Sequence, residues 1–143
     1  MNRNEMKIEF GSDPRNESFA RVVVASFMTR TNPTLEEVAD VKTAVSEAVT
    51  NSIIHGYGQK EGTIEIRAYI EERTLSIEIT DYGCGIEDVE KAMEPMFTTG
   101  KDGRSGMGFS FMEAFMDELT VESEPGKGTT VKMAKKIGAG CAV

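Results

Sequence analysis

Two stretches in the middle of the chain alternate strictly between apolar and polar residues. Ile64, Ile66, Ala68 and Ile70 interleave with Glu65, Arg67, Tyr69 and Glu71, and Leu75, Ile77 and Ile79 interleave with Ser76, Glu78 and Thr80. A period of two predicts strands, and the short "EER" between them predicts a hairpin. One apolar and one polar face per strand is the pattern of an antiparallel sheet covered on one side and wet on the other. Met6, Ile8 and Phe10 alternate with charge and predict another short strand, and "LTVESEPGKGTTVKM" predicts a second hairpin that turns at Pro125 to Gly128.

Elsewhere the period lengthens. Asp13 and Pro14 open a predicted helix over about residues 14–30. Thr34 and Glu37 form a capping box for a second, in which Leu35, Val38, Val41, Val45, Val49 and Ile53 make a stripe expected to be buried, and Gly56 and Gly58 stop it. "FSFMEAFMDE" puts Phe109, Met112 and Met116 on one helical face. "EPMFTTGKDGRSGMG" reads as a mobile loop and "GAGCAV" as a loose tail. The expected fold is α/β (α+β): a two-layer sandwich with a mixed, mainly antiparallel sheet and helices on one face. One domain is expected over residues 1–137, with a tail at 138–143.

Composition narrows the class. The 143 residues are 39% hydrophobic and 28% charged, with a net charge of −8. That length suits one domain with a real core, and that charge argues against a nucleic-acid surface. No stretch approaches a membrane span, and "MNRNEMKIEF" has no apolar core of a secretory signal. Cys84 and Cys141 form no C-x-x-C pair, which argues against a disulfide scaffold or zinc ribbon and suits a reducing cytoplasm.

Four clusters carry possible chemistry. In "ITDYGCGI", Asp81 shares parity with Leu75, Ile77 and Ile79, so its carboxylate is expected on the helix-covered side. A carboxylate there needs a donor, and Gly83 and Gly85 leave the backbone open to a ligand. A flat donor such as the adenine amino group suits the place; an Asp ending a strand before a glycine turn is the plain alternative. Glu47 and Asn51 are four apart on one helix face. Asn is an oxygen ligand for Mg²⁺ and Glu a general base, although the pair taken alone reads as a solvated polar face. "GRSGMGFSF" sets Gly106 and Gly108 before a helix whose first N–H groups favour phosphate, with Lys101, Arg104 and Ser105 nearby; a glycine-rich loop is the alternative. Thr129 in "GKGTTV" shares parity with Val131 and Met133 and points inward, where it supports a ligand of Asp81 or serves as an ordinary strand threonine.

The order of "EAVTN", "DYGCG", "GMG" and "GT" resembles the asparagine box and three glycine boxes of the GHKL ATPase/kinase superfamily, which includes gyrase B, MutL and histidine kinases. "VSEAVTNSIIHGY", "FTTGKDGRSGMGFSFMEAFMDE" and "VESEPGKGTTV" resemble its anti-sigma F factor family (SpoIIAB type), along nearly the whole chain. The resemblance implies a Bergerat ATP fold, with ATP and Mg²⁺ as cofactors. It implies Glu47 as catalytic base, Asn51 as Mg²⁺ ligand, Asp81 as adenine acceptor supported by Thr129, and Gly83 and Gly85 as the nucleotide's approach. Thr98, Thr99, Lys101, Arg104, Ser105, Gly106, Met107, Gly108 and Phe109 would form the lid and phosphate contacts. It further implies a cytoplasmic homodimer that phosphorylates an anti-anti-sigma factor (SpoIIAA type) on serine and, with ATP, holds a sigma factor of the sigma F type. Arg21 is the candidate partner contact. A general-stress anti-sigma kinase of the sigma B type, a bare ATPase and a nucleotide-gated binding module are the alternatives. His55, the one histidine, is expected to be structural or helix-ending, and Cys84, of opposite parity to Asp81, to have no catalytic role.

Overall fold

The alternating segments become strands. The computed structural model of the chain describes residues 3–58, 60–93 and 107–138. Five strands, β1 (Arg3–Gly11), β2 (Thr63–Glu71), β3 (Thr74–Asp81), β4 (Glu118–Glu124) and β5 (Gly128–Lys136), form one sheet in the order β1-β2-β3-β5-β4. All four pairings are antiparallel, so the parallel component of the expected mixed sheet is absent among the described residues. The β2–β3 hairpin turns at Glu72 and Arg73, with Glu72 in the left-handed region (φ 58°). The β4–β5 hairpin turns through Pro125, Gly126 and Lys127 as expected.

The helices α1 (Asn16–Met28), α2 (Leu35–Asn51) and α4 (Met107–Phe115) supply the second layer, and α3 (Val89–Ala92) is a single turn after β3. Burial follows the two periods. Ile64, Ile66 and Ala68 of β2 and Leu75, Ile77 and Ile79 of β3 are fully buried beneath Val41, Ala44, Val45, Ala48 and Val49 of α2. Each large aliphatic buried in this way stabilises the fold by about 1.5–3 kcal/mol. Phe109, Met112 and Met116 close the core from the α4 side.

Three local expectations need correction. Leu35, the first residue of α2, is 89% exposed and so is not part of the buried stripe. The first helix runs over Asn16–Met28 and then tightens into a 3₁₀ turn at Thr29–Thr31. Asp13 does not cap it: its carboxylate accepts from the Arg15 N–H (2.8 Å) and pairs with the Arg15 guanidinium, turning the chain before the helix.

The capping box on α2 is present in both directions. Glu37 N–H donates to Thr34 Oγ1 (3.0 Å), and Thr34 N–H donates to Glu37 Oε1 (2.9 Å). Gly138 N–H also donates to Glu37 (3.0 Å), tying the end of the sheet to the start of α2. Burial alone would raise the Glu37 carboxyl, but these donors together hold it below its ordinary value. Thr34→Ala is expected to cost about 1 kcal/mol in chemical denaturation, by removing one half of the box.

Candidate nucleotide site

The inward parity of β3 continues to its last residue. Asp81 is buried, 3% exposed, on the helix-covered side with Ile77 and Ile79. It lies opposite Thr129, also buried, in the β3–β5 register. Burial pushes its carboxyl above the ordinary aspartate value, against the pull of donors from the Gly83 N–H, the Ser52 hydroxyl and the Thr129 N–H. A buried carboxylate with that balance has room for one further donor.

The surrounding backbone is drawn in tightly. Beyond Asn51, α2 widens into a π-helical turn over Ser52–Gly56. A Cβ on Gly56 would sit 2.8 Å from Asp81 Oδ2, so only glycine lets this turn pass over the carboxylate. A Cβ on Gly83 would sit 2.0 Å from the Gly56 carbonyl. Gly83 therefore lets the two backbones pack against each other. Gly85 has φ +77°, and a Cβ there would meet the Glu124 carbonyl at 2.2 Å. Two backbone bonds seal the stack: Cys84 N–H donates to Gly56 O (2.8 Å), and Gly126 N–H donates to Cys84 O (2.7 Å). Gly83→Ala is expected to destabilise the fold by roughly 1–3 kcal/mol in urea unfolding, since the opposing atom is backbone and cannot rotate away.

A cavity of about 330 Å³ opens above Asp81. That is the lower end of small-ligand sites, roughly 300–1,000 Å³. Ala48, Ile86, Ala92, Phe109 and Val131 supply apolar walls; Asn51, Ser52, His55, Asp81, Asp88, Lys91 and Thr129 supply polar groups, with Gly56 and Gly85. The structure thus brings together Asn51, Asp81, Gly85, Phe109 and Thr129 of the residues expected from sequence. Glu47 is half-buried one turn before Asn51 and does not line the cavity. Met107 and Gly108 open α4. Thr98, Thr99, Lys101, Arg104, Ser105 and Gly106 lie outside the described residues, as does Cys141.

Sequence reasoning missed Ser52, Ile86, Asp88, Lys91 and Ala92, and it took Gly56 only as a helix stop. Ser52 and Gly56 were findable, since they follow Ala48 at four-residue steps on one helix face. Asp88 caps α3 by accepting from the Lys91 N–H (3.0 Å), a turn too short to leave a period in the sequence. His55 stands exposed at the helix end, where its carbonyl accepts from Cys84 Sγ (3.2 Å). Arg21 is on α1, paired with Glu17 (3.4 Å), and does not line the cavity.

Comparison with known proteins agrees with this geometry. Residues 10–135 match the model of the histidine kinase-like ATPase domain. The chain belongs to this family. Within it, the chain is 59% identical over 137 residues to the anti-sigma F factor of Thermoanaerobacter sp. (strain X514), covering 95% of this chain and 96% of the relative. It is 60% identical over 136 residues to the anti-sigma F factor of Caldanaerobacter subterraneus subsp. tengcongensis, covering 94% and 95%. The anti-sigma F factor of Clostridium acetobutylicum is 59% identical over 138 residues, covering 96% of each. In fold, the chain is similar to the RsbU and RsbW domains of a Mycobacterium tuberculosis protein (TM-score 0.67, 17% identity), covering 94% of this chain and 32% of that one. A blue-light activated histidine kinase of Erythrobacter litoralis shares the fold less fully (TM-score 0.56, 19% identity, covering 77% of this chain and 34% of that one).

The residues present fit an adenine nucleotide. An apolar slot ends in a buried acceptor, which matches a flat base with one amino edge. No cluster of three or more His, Cys, Asp or Glu suited to a metal occurs among the described residues. A Mg²⁺ held by the Asn51 amide together with ligand phosphates and waters is consistent with that. No helix among the described residues is long and apolar enough to cross a membrane.

Proposed function

We propose that the chain is an anti-sigma factor and protein serine kinase of the sporulation type. In this reading it uses Mg-ATP to phosphorylate an anti-anti-sigma factor (SpoIIAA type) on serine. With ATP bound it holds a sigma factor of the sigma F type, acting as a homodimer in the cytoplasm. The observation that carries the reading is the buried Asp81 carboxylate at the floor of an apolar cavity, in a chain about 59% identical to anti-sigma F factors.

When bound, Mg-ATP supplies the phosphoryl group and the cation that offsets its charge. Asp81 accepts from the adenine amino group, and Thr129 beside it completes the base contact. Asn51 holds the cation at the cavity wall. Glu47, one turn earlier on α2, accepts the proton of the attacking seryl hydroxyl. Lys101, Arg104 and Ser105, with the N–H groups that open α4 at Met107 and Gly108, hold the phosphates, and Thr98, Thr99 and Gly106 belong to the same segment. Arg21, on the outer surface of α1, contacts the partner.

The test is transfer of labelled γ-phosphate from Mg-ATP, with the purified protein added to extract of its own organism. Label on a serine of one small protein is the expected result. Release of free phosphate alone would make the chain an ATPase, and ATP binding without turnover would leave a nucleotide-gated binding module.

A further inference from the structure

Tyr57 does not line the cavity, yet its hydroxyl stands between two strands beside Asp81. The Tyr82 N–H donates to this hydroxyl (2.7 Å), and the hydroxyl donates to the Thr63 carbonyl (2.6 Å). Both directions are fixed, because an N–H only donates and a carbonyl only accepts. The β2–β3 ladder ends on the rung that pairs Ile64 with Asp81. Carried one step further, the same register sets Thr63 against Tyr82, and the phenol bridges these two residues.

The same side chain belongs to the turn above the carboxylate. Tyr57 directly follows the π-helical turn Ser52–Gly56, and its N–H donates to the Ser52 carbonyl (2.9 Å). That turn supplies Ser52, His55 and Gly56 to the cavity and passes over Asp81. The ring has its own seat, since a Cβ on Gly62 would overlap it. Tyr57 thus ties the turn above Asp81 to the residue that follows Asp81 and to the start of β2.

We infer that Tyr57 is a positioning residue whose hydroxyl, by holding Tyr82 beside Thr63, keeps the Asp81 carboxylate under the Ser52–Gly56 turn, where the ligand's donor meets it. Asp81 is then held from two directions. The rungs to Ile64 and Thr129 hold it across the sheet, and the Tyr57 bond holds the next residue along the chain. Without that bond the end of β3 is free to peel from β2, and the carboxylate loses its fixed place beside Ser52. The inference rests on the nucleotide reading above and adds to it how the acceptor is placed. A tyrosine that served stability alone would change the unfolding midpoint and leave the surroundings of the carboxylate as they are.

Tyr57→Phe removes one oxygen from a half-buried side chain and leaves the ring on Gly62. Calorimetric titration of the full-length variant with ATP is expected to show about fivefold weaker binding, the net contribution of about one hydrogen bond. In an Asp81→Asn background the same change is expected to weaken ATP less than about twofold, because the charged acceptor it places is gone. A second measurement needs no ligand. Carbon NMR of the Asp81 carboxyl reads its titration midpoint, which burial raises in the wild type. In Tyr57→Phe the midpoint is expected to fall toward the ordinary aspartate value, as water reaches the freed carboxylate. His55, Asp88 and Lys91, the titratable groups that line the cavity with Asp81 among the described residues, are the same in both proteins. Equal losses of ATP affinity in both backgrounds, unchanged ATP binding in Tyr57→Phe, or an unmoved midpoint would overturn the inference and leave the nucleotide site standing. If the wild-type protein bound no ATP, the nucleotide reading would fall, and the midpoint alone would decide whether Tyr57 places Asp81.

Discussion

Glu47→Ala is expected to bind ATP as tightly as wild type and to transfer phosphate about 10²–10⁴-fold more slowly. Glu47 is on α2 one turn before Asn51 and outside the cavity lining, so its loss leaves the base-binding floor untouched. In the proposed mechanism its carboxylate receives a proton only as the seryl hydroxyl attacks. A residue needed in the transition state but absent from ground-state binding lowers the rate and spares the affinity. Single-turnover transfer beside calorimetric ATP binding reads both quantities. Transfer at the wild-type rate would assign the base to another group, and a parallel loss of affinity would make Glu47 a binding residue.

Asp81→Asn is expected to weaken ATP by roughly 1.5–3 kcal/mol, the worth of a hydrogen bond to a charged acceptor. Its dependence on pH distinguishes a lost charge from a damaged fold. In the free protein, burial holds the Asp81 carboxyl above its ordinary value. A ligand N–H that donates to the carboxylate favours the ionised form, so binding is full above that raised value and falls as the pH drops through it. The loss therefore begins at higher pH than for a solvent-exposed aspartate. The Asn variant has no proton to gain at this position, so this part of the profile is expected to vanish. An unchanged profile in Asp81→Asn would remove the carboxylate from the base contact.

Much of the floor was legible because a strand has a period of two. Parity alone placed Asp81 and Thr129 inward, and the structure finds both buried and paired in register. The α2 capping box was equally legible, since its two residues are three apart and meet within one turn. What failed depends on groups distant in sequence. The Gly56 carbonyl that a Cβ on Gly83 would strike was not foreseen, because no local pattern brings it near. Ser52 donates to Asp81 across 29 positions of sequence, and Ser123 reaches Ile86 across 37. Leu35 has the right spacing for the stripe, yet at 89% exposure it lies outside the buried core. Periodicity reports which face of an element is inward, not how far the opposing layer extends.

The central claim is that the Asp81 cavity is an adenine-nucleotide site, and the most direct test is calorimetric titration of the wild-type protein with ATP and with GTP. The account predicts that ATP binds and that GTP, whose O6 would face the Asp81 carboxylate acceptor to acceptor, binds at least tenfold more weakly, on the order of the 1.4 kcal/mol that one mismatched bond supplies. Equal affinity for the two nucleotides, or no binding of either, would contradict it.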